Sequence, residues 1–379
     1  MSDRIVIIGG GIIGLSIAVE LTLRGAAVTV LSRSLAESAS LASAGMLAPH
    51  AEKIPDGALR SLCLRSLAMY RDWAHKLEDL TGEEVGYRPS GILAPMFADP
   101  AGDRPSSPTA IWWHRDALPR HQPGLNPDLA GAWWYPEDGQ VDNRALTKAL
   151  QAAARQLGVE IREGVTVQHI QQQGQRAIAL QTSDGEVQAA HYILATGAWS
   201  NHLLPVPVFP QKGQMLAVQL PASQPLTRVL FGEQIYLVPR QDGTLYVGAT
   251  VEEVGFTPHN TSEGIQTAIA AAIRLYPAVA ECPIREFWWG FRPTTPDEAP
   301  ILGESLCENL TLAVGHHRNG ILLAPITAKL IADWVLERTA DPLLPHFRWQ
   351  RFHQEPSPKG SSRYLYVDPP YAFLVSRKI

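Results

Sequence analysis

Four consecutive β-branched residues, Ile5-Val6-Ile7-Ile8, run straight into Gly9-Gly10-Gly11, and Gly14 follows within a small, apolar segment at 12–24. The first part reads as a parallel strand buried on both faces. The last part reads as a helix, with Gly9-x-Gly11-x-x-Gly14 at the turn between them. Each glycine has a physical task there. Gly9 makes the turn, Gly11 lets the backbone approach a pyrophosphate, and Gly14 brings helix and strand close. The free N–H groups at the helix start, around Ile12 and Ile13, then face an anion at the positive end of the macrodipole. Strand, fingerprint and helix in this order predict dinucleotide binding. A secretory signal with Arg4 as its charged region fits poorly, because three adjacent glycines break the apolar run and Glu20 lies just beyond.

At 379 residues the chain exceeds one simple core, so two intimately joined domains are expected. A net charge of -5 leaves no basic footprint for nucleic acid. Cys63, Cys282 and Cys307 form no C-x-x-C pair, which points to a reducing, cytoplasmic compartment without a disulfide framework or zinc site. The longest apolar stretch, 321–336, is interrupted by Pro325, Lys329 and Asp333, so no membrane span is expected.

Gly25 ends the first helix, and 27–31 forms a second strand. A dinucleotide fold usually places an acid at this tip, on the adenosine ribose. Here the tip reads Ser32-Arg33, with no acid before Glu37. Ser32 suits a neutral hydrogen bond to the ribose. Arg33 suits a 2′-phosphate, and so NADP, or it points into water. The sequence leaves these open. Residues 38–49 are rich in small side chains and suit backbone lying against a flat ring. A long amphipathic helix at 59–80, a strand at 91–95 and a proline-rich loop at 99–108 follow. Trp112, Trp113, Trp133 and Trp134 fit a core or interface better than a binding platform.

A helix at 143–157 and strands at 160–162, 166–171 and 177–182 come next. The apolar run His191-Tyr192-Ile193-Leu194 then enters Ala195-Thr196-Gly197-Ala198-Trp199, a second small-residue turn suited to the same cofactor. Period-two alternation at 215–220, 234–239 and 244–250 fits an antiparallel sheet with one face covered, and a helix lies at 263–275. This part reads as a substrate-covering layer. A strand at 310–314 enters Gly315-His316-His317-Arg318-Asn319-Gly320, and a helix at 321–337 offers a second free helix start.

The Gly9–Gly14 fingerprint is followed by Ser43-Ala44-Gly45-Met46-Leu47, Ala195-Thr196-Gly197-Ala198-Trp199, Tyr236-Leu237-Val238-Pro239-Arg240 and Val247-Gly248-Ala249-Thr250. Gly290-Phe291-Arg292-Pro293 and the run Gly315-His316-His317-Arg318-Asn319-Gly320-Ile321-Leu322-Leu323-Ala324-Pro325 complete the series. In this order, over about residues 3–345, they resemble the FAD-dependent D-amino acid oxidase superfamily. Within it they resemble the glycine oxidases, the ThiO branch associated with thiamine synthesis. Ser32 departs from that pattern, where a glutamate is typical.

The resemblance implies an α/β fold with a Rossmann-like FAD-binding domain built from discontinuous segments, 1–84, 141–203 and 287–345. A substrate-binding domain with a mostly antiparallel sheet takes 85–140 and 204–286, and the tail 346–379 carries no signal. It implies FAD contacts from Gly9, Gly11, Ile12, Ile13 and Gly14, and from Ser32, Arg33, Ser43, Ala44, Gly45 and Met46. Further contacts are implied from Val167, Thr196, Gly197 and Trp199, then Gly290, Arg292, His317, Arg318, Asn319, Gly320, Ile321 and Leu322.

The chemistry it implies is oxidation of glycine, other small amines or D-amino acids to an imine that hydrolyses to the oxoacid (glyoxylate from glycine) and ammonia. Dioxygen then takes the electrons and becomes hydrogen peroxide, in a homo-oligomer. By the same resemblance Arg292 clamps the substrate carboxylate, whose two oxygens suit a guanidinium fork. Arg318 and the Tyr236 hydroxyl stand beside it, and Met46 lines the substrate space. His316 and His317 have no acidic or cysteine partner at ligand spacing and are expected to place backbone rather than a metal. Sarcosine oxidases attach flavin through a cysteine near the segment matching 291–297. None stands there, so non-covalent FAD is expected. Other readings are a D-amino acid or sarcosine/proline-type dehydrogenase feeding a quinone or partner protein, an inactive flavin-binding subunit, and, from Arg33, an NADP-linked dehydrogenase.

Overall fold

The computed structural model describes residues 4–100, 105–223 and 226–353. Most of the tail expected to be silent, 354–379, lies outside the described residues. A six-stranded sheet runs in the order Ile301–Glu304, Leu310–Val314, His191–Leu194, Ile5–Ile8, Val28–Ser32, Glu160–Glu163. Only Ile301–Glu304 is antiparallel to its neighbour. Ile5–Ile8, Val28–Ser32, His191–Leu194 and Leu310–Val314 are buried along their whole length, as a parallel sheet covered on both faces requires.

The helix Ile12–Leu23 is apolar nearly all round because it is enclosed, packing against the helices Asn143–Gln156 and Gly320–Ala332. The helix Ala58–Thr81 lies on the same layer and buries Leu62, Ser66, Tyr70, Ala74 and Leu77 at helical spacing. Pro325 sits inside Gly320–Ala332 and cannot donate to the Ile321 carbonyl four residues back. The Tyr70 hydroxyl donates to that carbonyl instead, at 3.0 Å, and Ser66 Oγ donates to Leu322 O at 2.6 Å. The stretch His317–Glu337 is long and apolar enough to cross a membrane by length and composition, yet it is a core element here, its residues packed in the main apolar cluster.

An eight-stranded sheet runs Ile284–Thr294, Phe209–Gln219, Thr244–Gly248, Tyr236–Pro239, Val229–Phe231, Ile92–Met96, Gly131–Tyr135, Ile111–His114. It is antiparallel apart from Val229–Phe231 beside Ile92–Met96. The helix Ser262–Leu275, capped by the Thr261 hydroxyl on Gly264 N at 3.1 Å, covers one face. Residues 287–294, assigned from the sequence to the last cofactor segment, hydrogen-bond into this sheet along Phe209–Gln219. Period-two patterning in that segment is masked by consecutive aromatics, Phe287-Trp288-Trp289. Trp113 stacks on Trp134 at 5.2 Å between ring centroids, and Trp112 meets Trp133 at 5.4 Å. These rings stand on the outer strands and none lines the cavity described below. The helix expected at 321–337 begins earlier, as a 3-10 turn His317–Asn319, and ends in a π turn Asp333–Glu337. Arg24 stitches that end to the first helix through Asp333 at 2.7 Å and Glu337 at 3.1 Å.

Candidate active site

The turns after Ile8, Leu194 and Val314 leave the carboxyl ends of three neighbouring parallel strands, the position where open α/β sheets bind ligands. All three line one cavity of about 510 Å³. Its opposite wall comes from the eight-stranded sheet, through Met215, Tyr236, Gly248 and Arg292. The loops after residues 8 and 315 therefore meet across this cavity.

Of the site residues read from the sequence, Gly9, Gly11, Ile12, Ile13, Ser32, Arg33, Ser43, Ala44, Gly45, Met46, Val167, Thr196, Gly197 and Trp199 line this cavity. So do Tyr236, Gly290, Arg292, His317, Arg318, Gly320 and Ile321. Gly14, Asn319 and Leu322 do not. A Cβ on Gly14 would stand 2.0 Å from Gly9 O, so that glycine serves helix–strand approach. Leu322 belongs to the core, and Asn319 is buried at the start of the last helix.

The cofactor end fits a dinucleotide on the chain's own terms. A Cβ on Gly11 would meet nothing nearer than Ser40 Oγ at 3.6 Å, so packing within the protein leaves room for a larger residue there. Neither Gly11 nor Asn319 caps its helix with its own side chain, and at the first helix Ser40 Oγ accepts from Ile12 N at 2.9 Å. Ser38 Oγ and His317 Nδ1, both on cavity-lining residues, are buried without a hydrogen-bond partner. Ser32 is buried at the strand tip. Arg33 does not simply point into water: it pairs with Glu37 at 2.6 Å and lies 4.6 Å over the Trp199 ring.

The loop 43–46 is held from behind. Arg240 Nη2 donates to Ala44 O at 2.9 Å and to Asn143 Oδ1 at 2.8 Å, and Trp288 Nε1 donates to Ala42 O at 2.9 Å. Arg292 extends across Gly213, where a Cβ would come within 2.7 Å of the guanidinium. Its Nη1 donates to Thr250 O at 3.1 Å and to Lys212 O at 3.4 Å. Burial raises the Tyr236 phenol, partly offset by Arg292 beside it. Burial drives His316 and His317 down to about 3, so both are neutral. His316 Nε2 meets Thr327 Oγ1 at 3.2 Å, and His317 Nε2 meets Gln211 Oε1 at 3.1 Å. Among the described residues no cluster could hold a metal.

Sequence reasoning missed Glu52. Arg318 Nε lies 2.8 Å from its Oε2, so the arginine expected beside Arg292 arrives already paired. Asp138 fixes the turn that carries it, bonding His50 Nδ1 at 2.7 Å and Ala51 N at 2.8 Å. The one available signal was that Glu52 is the only acid between Ser38 and Pro55.

These features define a two-part dinucleotide-binding protein whose cavity carries Arg292, Arg318, Glu52 and Tyr236 at one side. The chain belongs to the FAD dependent oxidoreductase family, whose model matches residues 4–334. FAD is accordingly its cofactor, and the NADP alternative falls. It is 57% identical over 367 residues to the bifunctional protein ThiO/ThiG of Trichormus variabilis, covering 94% of this chain and 56% of that one. The chain thus spans about half the length of such relatives. The glycine oxidase of Bacillus subtilis is 31% identical over 349 residues, covering 88% of this chain and 93% of that enzyme. The crystal structure of glycine oxidase from Geobacillus kaustophilus superimposes with a TM-score of 0.86 at 31% identity, covering 92% and 99%.

Proposed function

We propose that this chain oxidises glycine or another small α-amino acid to the imine, which hydrolyses to the oxoacid and ammonia, with dioxygen reduced to hydrogen peroxide. The observation that carries the reading is Arg292, standing in the same cavity as the glycine turn after Ile8 and the turn after Val314. FAD, once bound, supplies a two-electron acceptor. Everything else falls to the chain. The first helix start, Gly11 and Ser38 hold the pyrophosphate and ribose end, and the turn 315–320 holds the ring end. Arg292 clamps the substrate carboxylate with the edge of its guanidinium that Thr250 and Lys212 leave open, and the Tyr236 hydroxyl adds a hydrogen bond. Met46 and Met215 bound the chamber and limit side-chain size. Likeness to glycine oxidases and to a ThiO/ThiG protein supports glycine as substrate and thiazole synthesis for thiamine as the destination. A cytoplasmic homo-oligomer with its thiols free completes the reading.

The test is the visible spectrum of the purified protein before and after anaerobic addition of glycine, sarcosine or D-alanine, then admission of air. Bleaching by at least one amine, followed by recovery with peroxide release, is the expected result. A spectrum that none of the three changes would end the proposal.

A further inference from the structure

Glu52 faces the cavity, and the reading above gives it no task. Its side chain is 6% exposed, although the Arg318 partner is 48% exposed. Its Oε2 is buried against Arg318 Nε at 2.8 Å, so the arginine accounts for that oxygen. An ionised carboxylate accepts through two oxygens, and Arg318 engages one of them. The turn is held in place, because Asp138 fixes His50 and Ala51 and Glu52 N donates to Ala48 O at 2.9 Å. Arg292, meanwhile, meets the same chamber from the eight-stranded sheet. A guanidinium for a carboxylate and a carboxylate with one oxygen left unengaged by Arg318, in the same cavity, together match a zwitterion.

We propose that Glu52 receives the substrate ammonium and removes its proton before oxidation. The inference rests on the amino-acid reading above. In the step, one ammonium N–H bond breaks, its electron pair stays on nitrogen, and a Glu52 O–H bond forms. The neutral amine that results owns the lone pair that becomes the C=N bond when hydride leaves the α-carbon. The surroundings suit an acceptor. Burial lifts the Glu52 carboxyl above its ordinary value and Asp138 adds like charge, while Arg318 and Arg292 oppose the rise. Tyr236 and Cys63 are the other titrating groups that feel it, and Asp138 itself is held by His50.

The experiment compares the FAD-loaded full chain with its Glu52→Gln and Glu52→Asp variants. Three quantities are read: flavin content, acetate affinity from the flavin spectrum, and the pH dependence of anaerobic reduction by low glycine. Acetate carries the carboxylate without the amine, so it reports Arg292 and Arg318 alone. Glu52→Gln is expected to keep flavin and acetate binding within about threefold while reduction near neutrality falls roughly 100-fold. Its rate should then climb about tenfold per pH unit toward the substrate's own ammonium pKa, where the free amine needs no base. Glu52→Asp should retain the wild-type acid limb at a lower rate, and it decides the matter if Glu52→Gln does not hold flavin. A Glu52→Gln profile parallel to wild type, or acetate affinity falling in step with glycine, would show a carboxylate that only anchors Arg318 and would overturn the proposal. Wild-type flavin that no amine reduces would instead sink the underlying reading, and this inference with it.

Discussion

The Tyr70 hydroxyl donates to the Ile321 carbonyl at 3.0 Å and so replaces the N–H that Pro325 lacks. Both groups are buried, so Tyr70→Phe leaves an unsatisfied carbonyl, at a cost of about 1–3 kcal/mol. Urea unfolding is the measurement. In a Pro325→Ala background the restored N–H at 325 satisfies the same carbonyl, and the cost of Tyr70→Phe should shrink. Equal costs in the two backgrounds would refute the substitution of one donor for the other.

Gly11→Ala separates folding from cofactor binding. The protein itself leaves room for the methyl group, so circular dichroism and melting of the flavin-free chain should be unchanged. Flavin per chain should fall, because the methyl group occupies the approach of the pyrophosphate. A variant that keeps full flavin would remove Gly11 from the cofactor site.

Arg292→Ala should weaken binding of acetate and of glycine alike, by about 2–5 kcal/mol if the guanidinium is the desolvated partner of the carboxylate. Titration of the flavin spectrum with acetate reads this without turnover. Arg292→Lys is expected to recover little, since an ammonium lacks the planar fork. Unchanged acetate affinity in Arg292→Ala would discredit the clamp.

His191 sits in a buried strand away from the cavity, its Nε2 2.8 Å from Thr311 Oγ1. Burial, helped by Arg338 and Arg176, lowers it from 6.5 to about 4. The unfolded chain therefore binds a proton there that the folded chain refuses. The stability this contributes is complete above pH 6.5 and is lost as pH falls toward 4. Relative to His191→Asn, wild-type stability should fall more steeply across that window, by up to about 1.4 kcal/mol per pH unit. Parallel unfolding curves in denaturant would contradict the assignment.

Among the described residues no cysteine lines the cavity. Acid precipitation is thus expected to leave the flavin in the supernatant, and yellow colour in the pellet would demand a covalent link through another side chain.

The sheet strands were legible because a strand buried on both faces writes itself as an apolar run, as Ile5-Val6-Ile7-Ile8 does and as Leu310–Val314 does with Thr311 as its one polar member. The glycine turns were legible for a related reason, since their constraint is local. The long strand Ile284–Thr294 was not, because it crosses from exposed aromatics to a buried end and changes its pattern midway. Glu52 was invisible for a different cause. Its burial depends on Asp138 and Arg318, distant in the chain, and nothing within its own stretch marks an acid as enclosed. Arg33 shows the same limit, since its tie to Trp199 joins segments that only the fold brings together.

The cavity walls come from five stretches near residues 8–52, 165–167, 195–215, 231–251 and 290–321, far apart along the chain. A molecule seated there works as a rivet as well as a reagent. A ligand that binds only the folded form adds about 2.7 kcal/mol at a hundredfold excess over its Kd. In a cell short of riboflavin the chain should be degraded faster, so that vitamin supply sets its abundance even at constant synthesis.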